Sequence, residues 1–308
     1  MRSDHYHPDL KSIARVLPRS PFNRLTLPTM RRLTRFAPSA CEGVEVLTIT
    51  PSTGARLYRP ERECTHGGAL LWIHGGGYVI GTAAQDDKLC QRFVRRVGVP
   101  VASVDYRLAP KDPFPAALED CYTALTWLAR LPGVDPGRIA IGGASAGGGL
   151  AAALALLARD RGEVTPLFQL LVYPMVDDRP SSRPGLESQH YRLWNEKSDR
   201  LGWQAYLKGA DRQSAVPARR DDLSQLAPAW IGVGTVDPLY GQDVEYAYRL
   251  RDAGVSCELD VVEGAFHGFD IIASKTPVAQ GFFARQCAAL QTAFANGYVF
   301  EDGPDRLQ

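Results

Sequence analysis

The chain has 308 residues, of which 45% are hydrophobic and 22% are charged. This composition is typical of a globular protein with a large core, and it excludes the disordered and fibrous classes. Lysine plus arginine (35) balance aspartate plus glutamate (34), and the net charge of +1 gives no general attraction to nucleic acid or to an anionic bilayer. We therefore expect one soluble domain with insertions and no nucleic-acid partner.

No stretch of the sequence predicts a membrane span. The longest apolar run, residues 150–158, is under half of the roughly 20 residues that cross a bilayer, and the polar start is followed by no hydrophobic leader region. Residues 1–35 hold eight Arg or Lys against two Asp, but four prolines interrupt any long amphipathic helix there. We expect short docked helices in this segment, a cytoplasmic protein and no stable membrane insertion.

The six cysteines are scattered and contain no CxxC pair. Reduced, buried thiols are therefore expected rather than a disulfide framework. No histidine or cysteine cluster has the spacing of metal ligands, so we expect neither a metal nor another cofactor.

From residue 44 onward, strand-length apolar runs alternate with helix-period segments. This pattern predicts a mostly parallel sheet with helices on both faces. The first two runs form a hairpin, and the others have the apolar content of buried central strands. The eight predicted strands lie at 44–50, 55–59, 69–74, 100–105, 138–143, 168–173, 229–234 and 257–262, and the helices lie near 86–97, 116–130, 147–160, 241–253 and 278–295.

Two segments fit this alternation poorly and predict a helical cap. They are residues 1–40 and 181–215, which leaves 41–180 and 216–308 as the α/β domain. The second segment has more aromatic side chains than a crossover needs, namely Tyr191, Trp194, Trp203 and Tyr206. These rings either form the core of the cap or line a pocket, and the sequence leaves both interpretations open.

The strongest chemical signal is a G-x-S-x-G motif centred on Ser145, between a predicted strand and a predicted helix. In this context the motif predicts a nucleophile elbow, a tight turn that exposes the serine oxygen. A second motif, His74-Gly75-Gly76-Gly77, follows the third strand. Consecutive glycines allow backbone N–H groups to converge on an oxyanion, and a flexible turn is the alternative interpretation.

A serine nucleophile needs a general base and an acid downstream of it in this fold. His267 follows the last predicted strand and is the candidate base, because the other five histidines lie in the amino-terminal arm, before Ser145 or in the predicted cap. Asp237 follows the strand before it and is the candidate acid, although an Asp-Pro pair also forms Asx turns and helix caps. The substitutes are Asp243, the first to test, and Asp260, Glu263 and Asp270.

The ordered motifs resemble those of the hormone-sensitive-lipase-like α/β-hydrolases, the bacterial family IV carboxylesterases. The matching motifs are HGGGY (74–78), DYRLAP (105–110), FPAALED (114–120), GASAGGG (143–149), YP (173–174), DPL (237–239) and HGF (267–269). The resemblance implies Ser145, Asp237 and His267 as a triad, and an oxyanion hole formed by the N–H groups of Gly76, Gly77 and Ala146. It also implies an esterase with a helical cap.

The chain departs from this family at three places. Ala144 stands where Asp or Thr is usual, Lys111 replaces a Glu, and Tyr240-Gly241 replaces Arg-Asp after DPL. These changes affect packing around the motifs and leave the three candidate residues in place.

We expect a serine esterase of short- to medium-chain acyl esters, whose partner is a small ester substrate; the oligomeric state stays open. Candidate pocket residues are Tyr78, Trp194, Trp203 and Tyr206. Two alternatives remain. An amide or formamide hydrolase would use the same triad, and a non-catalytic ligand-binding protein would share the fold.

Overall fold

The computed structural model describes residues 5–20, 26–35, 42–61, 64, 66–180, 190–296 and 306–307. Within them one sheet contains nine strands, in the order β1-β2-β4-β3-β5-β6-β7-β8-β9. The strands are β1 (Val44–Thr48), β2 (Gly54–Tyr58), β3 (Ala69–Ile73), β4 (Val101–Asp105), β5 (Ile139–Ala144), β6 (Phe168–Val172), β7 (Ala229–Val236), β8 (Cys257–Phe266) and β9 (Arg306–Leu307).

The sheet is mostly parallel, as the sequence predicted. β1 pairs antiparallel with β2, and β2 pairs antiparallel with β4, whereas the pairs from β4 to β9 are parallel. The eight predicted strands are all present, which confirms the fold class. The pairing of β9 with β8 was not predicted, because a strand of two residues has no periodicity that a sequence could reveal.

The described helices include the five predicted in the α/β domain, each within two residues of its predicted bounds. The described helices are α1 (Lys11–Val16), α2 (Leu27–Arg35), α3 (Asp87–Val97), α4 (Ala116–Leu128), α5 (Ala146–Arg161), α6 (Glu196–Leu207), α7 (Arg212–Ala215), α8 (Tyr240–Asp252), α9 (Phe269–Ile272) and α10 (Pro277–Asn296).

Helices cover both faces of the central strands. Trp72 of β3 packs against Phe93 of α3, which in turn contacts Phe283 of α10. Gly143 of β5 faces the other way, toward Gly147 of α5. Strands β3, β5, β6 and β7 are buried along their whole length, because this double cover leaves neither of their faces to solvent.

The amino-terminal helices contact the segment that precedes α6. The Tyr6 hydroxyl donates to the carbonyl of His190 (2.6 Å), and the Arg192 guanidinium donates to the carbonyl of Ala14 (2.6 Å). The two predicted cap segments therefore meet in space. Parts of both predicted segments (1–4, 21–25, 36–40 and 181–189) lie outside the described residues.

Two further sequence predictions concern the membrane and the cysteines. Among the described helices, none is long and apolar enough to cross a bilayer. The five described cysteines are free thiols, of which Cys64 is half-buried and the other four are buried; Cys41 lies outside the described residues.

Candidate active site

Ser145 lies on a sharp turn between β5 and α5. Its backbone has φ 57° and ψ −121°, a conformation that non-glycine residues rarely adopt. A small residue is required beside it, since a Cβ on Gly147 would lie 2.0 Å from the carbonyl oxygen of Ile73. The turn thus lets α5 approach β3 closely and projects the Ser145 side chain beyond the end of β5.

Asp237, His267 and Ser145 form a continuous hydrogen-bonded chain. His267 Nε2 lies 2.9 Å from Ser145 Oγ, and His267 Nδ1 lies 2.8 Å from Asp237 Oδ2. The three residues follow the parallel strands β5, β7 and β8, whose carboxyl ends meet at one edge of the sheet. All three side chains are at least nine-tenths buried, and each ring nitrogen of the imidazole has a hydrogen-bond partner.

Asp237 faces His267 and also forms the Asx turn that the sequence indicated as its alternative role. Its Oδ2 faces His267, while its Oδ1 accepts a hydrogen bond from the backbone N–H of Leu239 (2.9 Å). The Asx turn therefore orients the carboxylate toward the imidazole. Both interactions use the same side chain without competing, because a carboxylate has four acceptor positions.

The four substitute acids make no hydrogen bond to His267. Asp260 pairs with Arg285 (2.5 Å), Asp270 accepts from the Tyr173 hydroxyl (2.6 Å), and Glu263 is exposed. Asp243 is fully buried, and neither of its carboxyl oxygens has a hydrogen-bond partner among the described residues. Burial raises the pKa of Asp243 well above its usual range, and the charges of Asp237 and Asp199 raise it further.

The glycine-rich segment after β3 lies beside the elbow. The backbone N–H groups of Gly76, Gly77 and Ala146 donate to no other described residue. His74 is fully buried, stacks on Tyr106 with 4.2 Å between ring centroids, and places Nδ1 2.8 Å from the Gly75 carbonyl. Burial lowers the pKa of His74, against the hydrogen bond to the Gly75 carbonyl and the charge of Asp105, which raise it.

One of the candidate pocket aromatics lies beside His267. The Trp194 indole stacks over His267 with 6.0 Å between ring centroids. A Cβ on Gly77 would lie 2.4 Å from Trp194 Cη2, so this indole also covers the glycine loop. Trp194 thus forms a wall above both the imidazole and the free N–H groups.

The other aromatics pack among themselves. Tyr78 stacks on Tyr206 at 4.2 Å and lies 5.1 Å from Trp203, and its hydroxyl donates to the carbonyl of Met175 (3.0 Å). Tyr191 is also buried. These contacts form a small core between α6 and the body of the protein.

Sequence reasoning missed two groups near His267. Asp199 lies in the first turn of α6, and its carboxylate is 3.5 Å from the Trp194 indole nitrogen. Burial raises the pKa of Asp199 to about 7, although the hydrogen bond from Trp194 and the charge of His267 act to lower it. Tyr173 places its ring 4.8 Å from that of His267. No motif singled out Asp199, while the Tyr-Pro pair at 173–174 matched the family without indicating a role.

A mostly parallel sheet with a buried serine on a strand-to-helix turn, followed in the chain by an aspartate and a histidine, is the architecture of an α/β-hydrolase. The comparison with known families agrees: residues 70–271 match the family described as the alpha/beta hydrolase fold, and the chain belongs to it.

Curated relatives and solved structures narrow this assignment. Carboxylic ester hydrolase LipN of Mycobacterium tuberculosis is 40% identical over 231 residues, which are 70% of this chain and 60% of that protein. Ethyl acetate hydrolase of Pseudomonas putida is 39% identical over 237 residues, 72% of this chain and 74% of that one. An esterase structure from the bacterial hormone-sensitive lipase family superposes with a TM-score of 0.82 at 29% identity, covering 94% and 99% of the two chains.

These findings confirm the resemblance stated from the motifs. The relatives also carry names in the enzyme class predicted from the sequence, carboxylic ester hydrolase.

Proposed function

We propose that this chain is a serine carboxylesterase that hydrolyses short- to medium-chain acyl esters through an acyl-enzyme. The observation that carries the proposal is the hydrogen-bonded chain from Ser145 through His267 to Asp237, at 2.9 Å and 2.8 Å. The distance from His267 to Ser145 lies within the range in which a general base can take a proton from its nucleophile, and the distance from His267 to Asp237 is that of a hydrogen bond that orients the base. The relatives' names support ester hydrolysis as the reaction.

In the first half-reaction, Ser145 Oγ attacks the ester carbonyl carbon and its proton passes to His267 Nε2. Asp237 holds the Nδ1–H and stabilises the imidazolium. As the tetrahedral intermediate collapses, the bond to the alcohol breaks and His267 returns the proton to the departing oxygen. The products of this step are the free alcohol and the acyl ester of Ser145.

Water completes the cycle by the same route. His267 takes a proton from water while the hydroxyl attacks the acyl carbon, and then returns that proton to Ser145 as the carboxylic acid leaves. The N–H groups of Gly76, Gly77 and Ala146 donate to no described residue, which leaves them available to hold the oxyanion in both halves of the reaction. Fixed donors of this kind stabilise the developing charge without reorganising at the moment of reaction.

Trp194 supports the assignment of acyl size. Its indole lies over the triad imidazole and over Gly77, so it limits the space next to the proposed oxyanion hole. We assign the pocket role to Trp194 and a cap-core role to Tyr78, Trp203 and Tyr206, whose rings contact each other. Residues 1–40 and 181–215 are then a cap that brings Trp194 over the catalytic domain.

A panel of aryl esters with acyl chains from two to sixteen carbons, assayed beside the matching aryl amides, tests the proposal. We expect turnover of the shorter esters, little turnover of amides, and no turnover by Ser145→Ala. Turnover of amides or formamides above that of esters would favour the amidase alternative. If the wild-type protein binds one of these compounds but hydrolyses none of them, the binding-protein alternative is favoured.

A further inference from the structure

Tyr173 connects the serine elbow to the histidine loop. The segment that carries it is tied to Ser145 on both sides: the Ser145 N–H donates to the Val172 carbonyl (2.9 Å), and the Met175 N–H donates to the Ser145 carbonyl (2.9 Å). Tyr173 itself donates from its backbone N–H to Gly232 of β7 (2.7 Å). Its backbone is therefore fixed relative to the nucleophile.

The Tyr173 side chain extends from this anchored backbone to the other half of the site. Its ring lies 4.8 Å from the His267 ring, and its hydroxyl donates to Asp270 Oδ1 at 2.6 Å. Asp270 lies in the first turn of α9, which follows His267, so the phenol contacts the imidazole and also holds the backbone segment that carries it. The Trp194 indole is a second aromatic neighbour of the imidazole.

The backbone of Tyr173 is in an uncommon conformation, with φ 34°. A non-glycine residue at positive φ persists where its surroundings determine it fully. The side chain is buried, so a hydroxyl without a partner would be costly there. The Asp270 carboxylate satisfies that hydroxyl; burial raises the pKa of Asp270, and the hydrogen bond from Tyr173 and the charge of His267 lower it.

We propose that Tyr173 and Asp270 form a positioning clamp that fixes the His267 imidazole relative to Ser145. This inference rests on the proposed function. The clamp acts through geometry, since the hydroxyl and the carboxylate touch each other and the histidine segment rather than the reacting atoms. A general base that is held at a fixed distance from its nucleophile can accept the proton without first reorienting. Substrate binding does not depend on this contact, so the clamp contributes to kcat and leaves KM unaffected.

The test uses Tyr173→Phe, Asp270→Ala and the double variant, assayed on a short aryl ester well below the melting temperature. We expect each single variant to lose about tenfold in kcat, the effect of one lost hydrogen bond to a charged group, with KM within about twofold. The double variant should be no slower than either single one, because both remove the same contact. Asp270→Asn keeps an acceptor for the Tyr173 hydroxyl and should recover most of the activity that Asp270→Ala loses.

Tyr246→Phe is the matched control. Its hydroxyl is buried in α8 and has no hydrogen-bond partner among the described residues, so the same chemical change there should leave kcat unaltered. Additive losses in the double variant, or an unchanged kcat in Tyr173→Phe, would overturn the clamp. So would a Tyr173→Phe variant whose only change is a lower melting temperature.

A proton NMR measurement separates failure of the clamp from failure of the proposed function. The Nδ1 proton of His267, which lies on the hydrogen bond to Asp237, gives a low-field resonance whose exchange with water reports the order of the imidazole. Faster exchange in Tyr173→Phe than in wild type supports the clamp even if no ester is turned over. Equal exchange in the two proteins overturns the clamp even if the wild type is an active esterase.

Discussion

Replacing Asp243 with asparagine should stabilise this protein, and the gain should grow with pH. The Asp243 side chain is fully buried, and both of its carboxyl oxygens lack a hydrogen-bond partner among the described residues. Burial raises its pKa well above the usual range, and the nearby charges of Asp237 and Asp199 add to the effect. The folded protein therefore keeps this proton at pH values at which the unfolded chain has lost it.

The sign and the slope follow from proton linkage. The unfolded side chain has a pKa of about 3.9, so between that pH and the higher folded-state pKa the unfolded chain binds one proton fewer. As the pH rises over this interval, the free energy of unfolding falls by up to about 1.4 kcal/mol per pH unit. The stability that the protonated carboxyl provides at low pH is therefore lost. Asparagine has nearly the same shape and no proton to lose, which removes this slope.

Urea unfolding of wild type and Asp243→Asn at several pH values from roughly 5 to roughly 8, at constant ionic strength, measures the difference. The free energy of unfolding of the variant, relative to that of wild type, should increase with each rise in pH as long as the folded Asp243 carboxyl remains protonated. Asp252→Asn makes the same chemical change at an exposed position of the same helix and should show no such trend. A difference that is independent of pH, or a variant less stable than wild type near pH 8, would refute the argument from burial.

Three other predictions concern the proposed chemistry. Ser145→Ala should abolish ester turnover and labelling by an organophosphonate, and a label that persists in this variant would contradict its role as nucleophile. Asp237→Asn should lower kcat by about 10⁴-fold because the imidazole loses its anionic partner, whereas Asp243→Asn should stay close to wild type in the same assay. Trp194→Ala should shift the chain-length preference toward longer esters, while Trp203→Ala should cost about 3 to 5 kcal/mol of stability without that shift; the reverse pattern would place the pocket at Trp203.

Much of the geometry of the candidate site could be predicted from the sequence, because this geometry depends on local motifs in a fixed order. Three glycines after a strand and a serine between a strand and a helix each indicate a backbone geometry that few other residues allow. The carboxyl ends of parallel strands meet at one edge, so the order of Ser145, Asp237 and His267 along the chain was enough to bring them together. Periodicity predicted the eight longer strands because the hydrophobic pattern of each strand is contained within its own residues.

Tertiary structure alone decided which side chains surround these residues. Trp194 and Trp203 look alike in sequence, yet one lies over His267 and the other packs against Tyr78. The contact between Tyr173 and Asp270 joins positions 97 residues apart, and no local pattern encodes such a contact. Burial also depends on tertiary structure. Asp243 and Asp252 are both aspartates of α8, but the packing of that helix buries Asp243 and leaves Asp252 exposed.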